Sequence, residues 1–306
     1  MKVFLTGATG FIGSYVLRRL AQRGKARVAA VVRNQATAWR IRSEMAGIEI
    51  VPVDLGDSAR LREAIVAFQP THVVHLAWSG VLGKNRNDPT QHANVLETMR
   101  LFEYALEAGA RHFVGLGSQA EYGPRESRID EATPTAPTTL YGAAKLATSI
   151  MASQLCALHG ARLAWLRVFS SYGPMDHPEW MIPYLVLKLL HRERPSVTAA
   201  EQRWDYIYVE DVADAVLAVM DSESAGGVFN LGSGAATALR EIIECVRDNI
   251  DPSLPIGFGE VPYRPDQVMH LEADITRLKQ ATSWRPSIGL AEGIRRTVQW
   301  YRTQDA

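Results

Sequence analysis

Three glycines, Gly7, Gly10 and Gly13, recur in the run Thr6-Gly7-Ala8-Thr9-Gly10-Phe11-Ile12-Gly13, which follows a short apolar segment and opens a helical pattern carried by Val16, Leu17 and Leu20. Each glycine has its own physical task in a strand-turn-helix unit. One permits a tight turn, one lets the backbone approach a pyrophosphate, and one allows the helix to pack closely on the strand. An anion then rests on the helix N-terminus, where amides without intrahelical partners converge. Gly7, Thr9, Gly10, Phe11, Ile12 and Gly13 are therefore expected to bind a dinucleotide.

That unit starts an alternation. Strand patterns occupy residues 3–6, 27–32, 49–53, 72–76, 112–116 and 164–168, and helical patterns lie between them, as with Val95, Met99, Phe102 and Leu106 ahead of the stop at Gly109. Such alternation predicts an α/β fold built on a Rossmann-type doubly wound parallel sheet. After Tyr172-Gly173-Pro174 the alternation breaks up, prolines recur at 178, 183 and 195, and a smaller mixed α/β region begins. Strand patterns at 206–209 and 228–231 are expected to return the chain to the first sheet. The domains are thus read as interleaved: 1–170 with about 205–232 for the dinucleotide, and about 171–204 with 233–306 for the substrate.

The 306 residues, 47% hydrophobic, suffice for a large core, and 33 basic residues balance 33 acidic ones. No global field therefore favours nucleic acid or an anionic membrane. Two cysteines, Cys156 and Cys245, form neither a disulfide framework nor a metal spacing. The glycines come too early for a signal peptide, and the apolar stretch 181–190 is about half a bilayer crossing. A cytoplasmic protein without membrane or nucleic-acid partners is expected. His72 and His75, three apart on a strand, point to opposite faces, so no metal site is expected either.

The residue about 20 positions past the glycine turn reads the adenosine ribose in such folds. Here it is Arg33, and the strand before it ends without a carboxylate. A guanidinium suits a 2′-phosphate, so NADP(H) is the expected cofactor.

Tyr141 and Lys145 lie four apart on an expected helix and so share a face. A phenol near pKa ~10 moves protons poorly at neutral pH, and an adjacent ammonium would lower that value. Together with the glycine turn, this pair resembles the extended short-chain dehydrogenase/reductase family, in its nucleotide-sugar branch, almost from end to end. Val53-Asp54-Leu55 is similar to the family's adenine-contacting segment, and His75-Leu76-Ala77 to the strand end beside the cofactor. Asn94 resembles the family's structural asparagine, and Gly117-Ser118 to Tyr122-Gly123 its serine segment. The resemblance implies a triad of Ser118, Tyr141 and Lys145. Tyr141 would exchange a proton with the substrate oxygen, Ser118 would hydrogen-bond that oxygen, and Lys145 would hold the nicotinamide ribose and depress the tyrosine. Asp54, Leu55, Leu76 and Ala77 complete the implied cofactor contacts.

The runs Leu166 to Pro174 and Asp205 to Ala213, Asn230-Leu231-Gly232-Ser233-Gly234 and Tyr263-Arg264-Pro265-Asp266 are similar to family segments that imply a nucleoside-diphosphate sugar substrate. Implied substrate contacts are Gln119, Ser170, Arg203, Trp204 and Arg264, the last a diphosphate clamp. Ser170 stands where relatives commonly have Asn, Trp204 where many have Arg, and Arg203 is the substitute one place earlier. Trp204 is either core packing or a stacking surface. Sugar dehydratases of the family carry an acidic pair where this chain has Gln119 and Ala120. Glu121 falls one place too late and reads as a solvated or structural carboxylate. The expectation is NADPH-dependent reduction of a 4-keto-6-deoxyhexose nucleotide. The alternatives are a 4-epimerase, whose relatives retain NAD, and a non-catalytic NADP sensor. The 78–87 loop either covers the substrate or is a polar connection. A homodimer through the helices after Gln91 and around 141–159 is also implied.

Overall fold

The computed structural model describes residues 1–264 and 267–304, so Pro265 and Asp266 of the last motif lie outside the described residues. The strands are β1 (Lys2–Thr6), β2 (Arg27–Val31), β3 (Glu49–Val51), β4 (His72–His75), β5 (His112–Ser118), β6 (Arg162–Val168), β7 (Ser170–Tyr172), β8 (Arg203–Trp204), β9 (Tyr206–Tyr208), β10 (Gly227–Leu231), β11 (Thr237–Ala238) and β12 (His270–Leu271). The helices are α1 (Phe11–Arg23), α2 (Ser58–Phe68), α3 (Gln91–Glu107), α4 (Leu140–Leu158), α5 (Met181–Leu190), α6 (Val209–Asp221), α7 (Leu239–Asp248), α8 (Thr276–Thr282) and α9 (Leu290–Gln304).

Seven strands form one sheet in the order β10-β6-β5-β4-β1-β2-β3, every neighbour parallel. The Rossmann-type doubly wound α/β fold is therefore present. Strand alternation sends Val3 and Leu5 into the core with α1 and α6, and Phe4 into the opposite core with α2, α3 and α4. The strand order reverses between β1 and β4, which opens a crevice at their carboxyl ends. Strand β5 runs on through Gly115 and Gly117, past the expected end at 116. A Cβ at either glycine would fall within 2.5 Å of the buried Trp165 indole on β6, so the neighbour's ring fills the space the glycines leave.

One expected strand goes elsewhere. Residues 206–208 do not rejoin the large sheet; β9 pairs with β7 in a separate two-stranded ladder, and only β10 returns to its edge. The reason is packing: Tyr172 of β7 and Tyr208 of β9 belong to a further apolar core with Leu185, Ile242, Ile294 and Val298, built on α5, α7 and α9. Strands β11, β8 and β12 form a small third sheet beside it. Among the described residues, no helix is long and apolar enough to cross a membrane.

Candidate functional site

The glycine turn sits in the crevice. Gly7 has φ +76°, and a Cβ there would lie 2.5 Å from the Ala77 nitrogen at the end of β4. At Gly13 a Cβ would lie 1.9 Å from the Gly7 carbonyl oxygen, so the protein's own packing demands both glycines. Gly10 differs, because its Cβ would meet only the Gly7 oxygen, at 3.2 Å. As N-cap of α1 it offers no side chain to the first-turn amides, which leaves them for an anion. This cradle fits the pyrophosphate of a dinucleotide. Thr9, Phe11 and Ile12 are part-buried around it. Arg40, missed in the sequence, ties the turn to the segment after β7 by donating to the Met175 and Thr9 carbonyls at 2.9 and 3.4 Å.

Arg33 follows β2 with its side chain 75% exposed and Nη1 3.6 Å from the Asp54 carboxylate. The other oxygen of Asp54 accepts the Gly56 amide at 2.8 Å. Leu55 and Ala77 line a cavity of about 30 Å³ with His75, Trp78 and Asn94. Leu76, between His75 and Ala77, is part-buried. His75 itself is fully enclosed, bridging Thr6 and Thr98 at 2.8 and 2.9 Å. Burial, assisted by the Lys145 charge, drives its pKa down to about 3, which makes it a neutral link between β1, β4 and α3.

Ser118 ends β5 and caps the short turn Gln119–Glu121, its hydroxyl accepting the Ala120 amide at 3.2 Å. Thr139 caps α4 by accepting the Gly142 amide at 3.1 Å, which puts Tyr141 in the first turn and Lys145 one turn on. Gly142 lets that turn lie against the Ala120 carbonyl, 2.4 Å from where a Cβ would be. Among the neighbours of the Tyr141 phenol, Ser118 acts most strongly to lower it. Lys145 Nζ donates to the Leu116 carbonyl at 2.6 Å, 3.7 Å from the centre of the Trp78 ring and 6.0 Å from that of Tyr141. The three residues are brought together.

Burial raises the Tyr141 phenol, Ser118 and the Arg86 guanidinium, 4.7 Å from the ring centre, pull it down, and Glu121 raises it. The Lys145 ammonium is engaged by a carbonyl and an indole, and burial lowers it to about 7 against the pull of Glu121. Trp78 and Arg86 belong to the 78–87 loop, which covers Tyr141. Gln91 and Asn94 of α3 hold it there through Trp78, Ser79, Gly80 and Asn85, and Asn87 accepts the Leu140 amide at 3.1 Å. The only sequence signal was a tryptophan and an arginine in a polar loop after β4. Glu121 is not solvated: it is wholly buried and paired with Arg167 at 2.7 Å.

Of the expected substrate contacts, Gln119 is part-buried beside Ser118, and the Ser170 amide donates to the Asp205 carbonyl at 3.3 Å. Trp204 is part-buried: its indole donates to the Val268 carbonyl at 2.8 Å, stacks on Tyr206 and packs against two cores. Arg203 and Arg264 are exposed, the former donating to the Ala236 carbonyl at 2.8 Å. The two motif aspartates are pegs. Asp205 accepts from Ser233, Gly234 and Ala273, and Asp211 from Ser287 and Ile288.

The sequence profile described as the NAD dependent epimerase/dehydratase family matches residues 3–232. A UDP-glucose 4-epimerase of Mycolicibacterium smegmatis is 28% identical over 99% of both chains. A dTDP-glucose 4,6-dehydratase of Salmonella typhimurium is 25% identical over 98% of this chain and 92% of its own. Among solved structures, the Thermus thermophilus UDP-glucose 4-epimerase complex with NAD superposes with a TM-score of 0.87 at 27% identity, covering 99% of each chain.

Proposed function

Because the chain belongs to the NAD dependent epimerase/dehydratase family, we propose that it is a nucleotide-sugar 4-epimerase that works on a bound nicotinamide dinucleotide. One observation carries this reading: Ser118, Tyr141 and Lys145 are assembled, while Gln119 and Ala120 beside them provide no ionisable group for eliminating water. Similarity to UDP-glucose 4-epimerases over nearly the whole chain supports it.

Gly7, Thr9, Gly10, Phe11, Ile12 and Gly13 would hold the pyrophosphate, Asp54 and Leu55 the adenine, and Leu76, Ala77 and Lys145 the nicotinamide half. Bound there, the nicotinamide supplies a hydride acceptor and donor at the sugar's carbon 4. Tyr141 takes the proton of the 4-hydroxyl and later returns it, with Ser118 bonded to the same oxygen. Arg203 and Arg264 would give charge-assisted bonds to the substrate diphosphate, and Gln119 and Ser170 would contact the sugar. The 78–87 loop would exclude water above Tyr141.

A second reading, NADPH-dependent reduction of a nucleoside-diphosphate 4-keto-6-deoxyhexose, is favoured by Arg33, which is exposed after a strand that ends without a carboxylate. We also place the protein in the cytoplasm, in keeping with two free cysteines, and as a homodimer, in keeping with the exposed Leu96, Ile150, Met151 and Leu158 on α3 and α4.

The test is to identify the nucleotide released on denaturing the purified protein, then to assay UDP-hexoses for interconversion and 4-keto-6-deoxyhexose nucleotides for NADPH or NADH oxidation, with NMR of the products. Retained dinucleotide and interconversion without net consumption support the epimerase. Stoichiometric NADPH oxidation replaces it with the reductase, and no turnover with any sugar nucleotide overturns both in favour of a non-catalytic sensor.

A further inference from the structure

Glu121 stands three residues past Ser118, and nothing in the proposed chemistry uses it. Its Oε1 accepts the Ser118 backbone amide at 2.9 Å and the Trp165 indole N–H at 3.0 Å, and its Oε2 accepts Nε of Arg167 at 2.7 Å. The Ser118 hydroxyl bonds the Ala120 amide in return, so residue 118 is held through both main chain and side chain. Glycine at 117 is what admits the carboxylate, because a Cβ there would lie 2.4 Å from Oε1. Arg167 in turn lies over the Tyr122 ring, 4.4 Å from its centre, and the Tyr122 hydroxyl donates to Asn230 of β10 at 2.8 Å. Ser118 is thereby tied through one carboxylate to two further strands of the sheet.

The same carboxylate is the second influence on Lys145 after burial, and it favours the ammonium. The ammonium lies 5.9 Å from the centre of the Trp165 ring that bonds Glu121. Around Lys145 and its neighbour Tyr141 stand neutral His75, the cation Arg86 on the covering loop, and Arg167, which Glu121 already pairs. Glu121 is the one anion acting on Lys145 among the described residues. A buried ion pair contributes little net stability, because desolvation offsets the attraction. Its use here is better sought in the site.

We propose that Glu121 is a positioning residue, fixing Ser118 through its backbone amide and supplying the negative charge that keeps the buried Lys145 an ammonium. The inference rests on the reading of Ser118, Tyr141 and Lys145 as the reacting cluster. It agrees with Lys145 being lowered to about 7 by burial while Glu121 pulls the other way.

Two variants separate geometry from charge. Glu121→Gln removes the charge, and Glu121→Asp keeps it but withdraws the oxygens from the Ser118 amide. Lys145 is followed by NMR of protein carrying carbon-13 at the lysine ε position, assigned with Lys145→Met, and pH profiles of kcat and KM are recorded for both. In Glu121→Gln the Lys145 midpoint is expected to fall by about one pH unit or more. The alkaline loss of kcat moves down with it. In Glu121→Asp the midpoint is expected to stay, while kcat drops about tenfold or more with KM unchanged. A Lys145 midpoint unchanged in Glu121→Gln, or kcat of both variants within about twofold of the unaltered protein, overturns the proposal. If an unpaired Arg167 prevents Glu121→Gln from folding, the Glu121→Gln/Arg167→Gln double variant carries the same lysine readout. The lysine titration needs no substrate. Absence of turnover in the unaltered protein therefore defeats the functional reading, whereas an unmoved midpoint defeats this one.

Discussion

Tyr141 and His75 show how burial sets the charge of single groups. Burial raises the Tyr141 phenol while Ser118 and Arg86 pull it down, so under the proposed chemistry the phenolate that takes the sugar's proton depends on those two neighbours. Tyr141→Phe keeps the ring and removes the proton carrier. It is expected to lower kcat by ~10²–10⁴-fold while the protein keeps its full content of dinucleotide, checked by turnover and by assay of the released nucleotide. His75 lies at about 3 in the folded protein against 6.5 unperturbed. The unfolded chain therefore binds more protons between those values, and stability is expected to fall as pH is lowered from about 6.5 towards about 3. His72, lowered to about 4, adds to the upper part of that range. Urea midpoints measured in pH steps should show the decline, and His75→Gln should make it shallower; an identical slope would assign the effect to other groups. Tyr141 and Lys145 were legible as a pair because a four-residue spacing on a helix is a local fact. The environment of Lys145 was not. Trp78, Leu116 and Glu121 reach it from three other segments.

At the scale of elements, the glycine turn separates fold from function. A Cβ at Gly13 would lie 1.9 Å from the Gly7 carbonyl oxygen, whereas one at Gly10 would meet the same oxygen at 3.2 Å, which a small shift relieves. Gly13→Ala is expected to cost ~3 kcal/mol by overpacking backbone against backbone. Gly10→Ala should change stability by no more than ~1 kcal/mol, yet weaken dinucleotide binding. Denaturant midpoints set beside cofactor titrations check both, and equal destabilisation would contradict the assignment. Most elements could be read from periodicity alone, including α3 from Gln91 with its stop at Gly109, φ +97°. Strand β9 could not, because three residues, Tyr206–Tyr208, do not encode which partner they pair with. The tyrosines meeting in the smaller core decided it. The covering loop shows the same limit: its composition marks a loop, and only the Gln91 and Asn94 contacts place it over Tyr141.

Across the whole molecule, the seven-stranded sheet gathers the ends of β1, β4 and β5 at one edge, so turn, loop and triad meet although they come from residues 7 to 145 of the chain. Helix α4 leaves Ile150 and Leu158 56% and 82% exposed. An apolar face of this kind is the basis for expecting a dimer. Light scattering should give twice the chain mass, and Ile150→Glu with Leu158→Glu should halve it; a monomer at all concentrations would reject the interface. The sequence by itself determined the fold class, through its alternation of strand and helix patterns, together with the glycine turn and the shared helical face of Tyr141 and Lys145, whereas Ser118 joined that pair only through the family resemblance. Only the tertiary structure decided that Glu121 is an enclosed partner of Arg167 and that Arg86 lies on Tyr141. Those outcomes depend on side chains distant in sequence, 46 residues for Glu121 and Arg167, sharing one volume from which water is excluded.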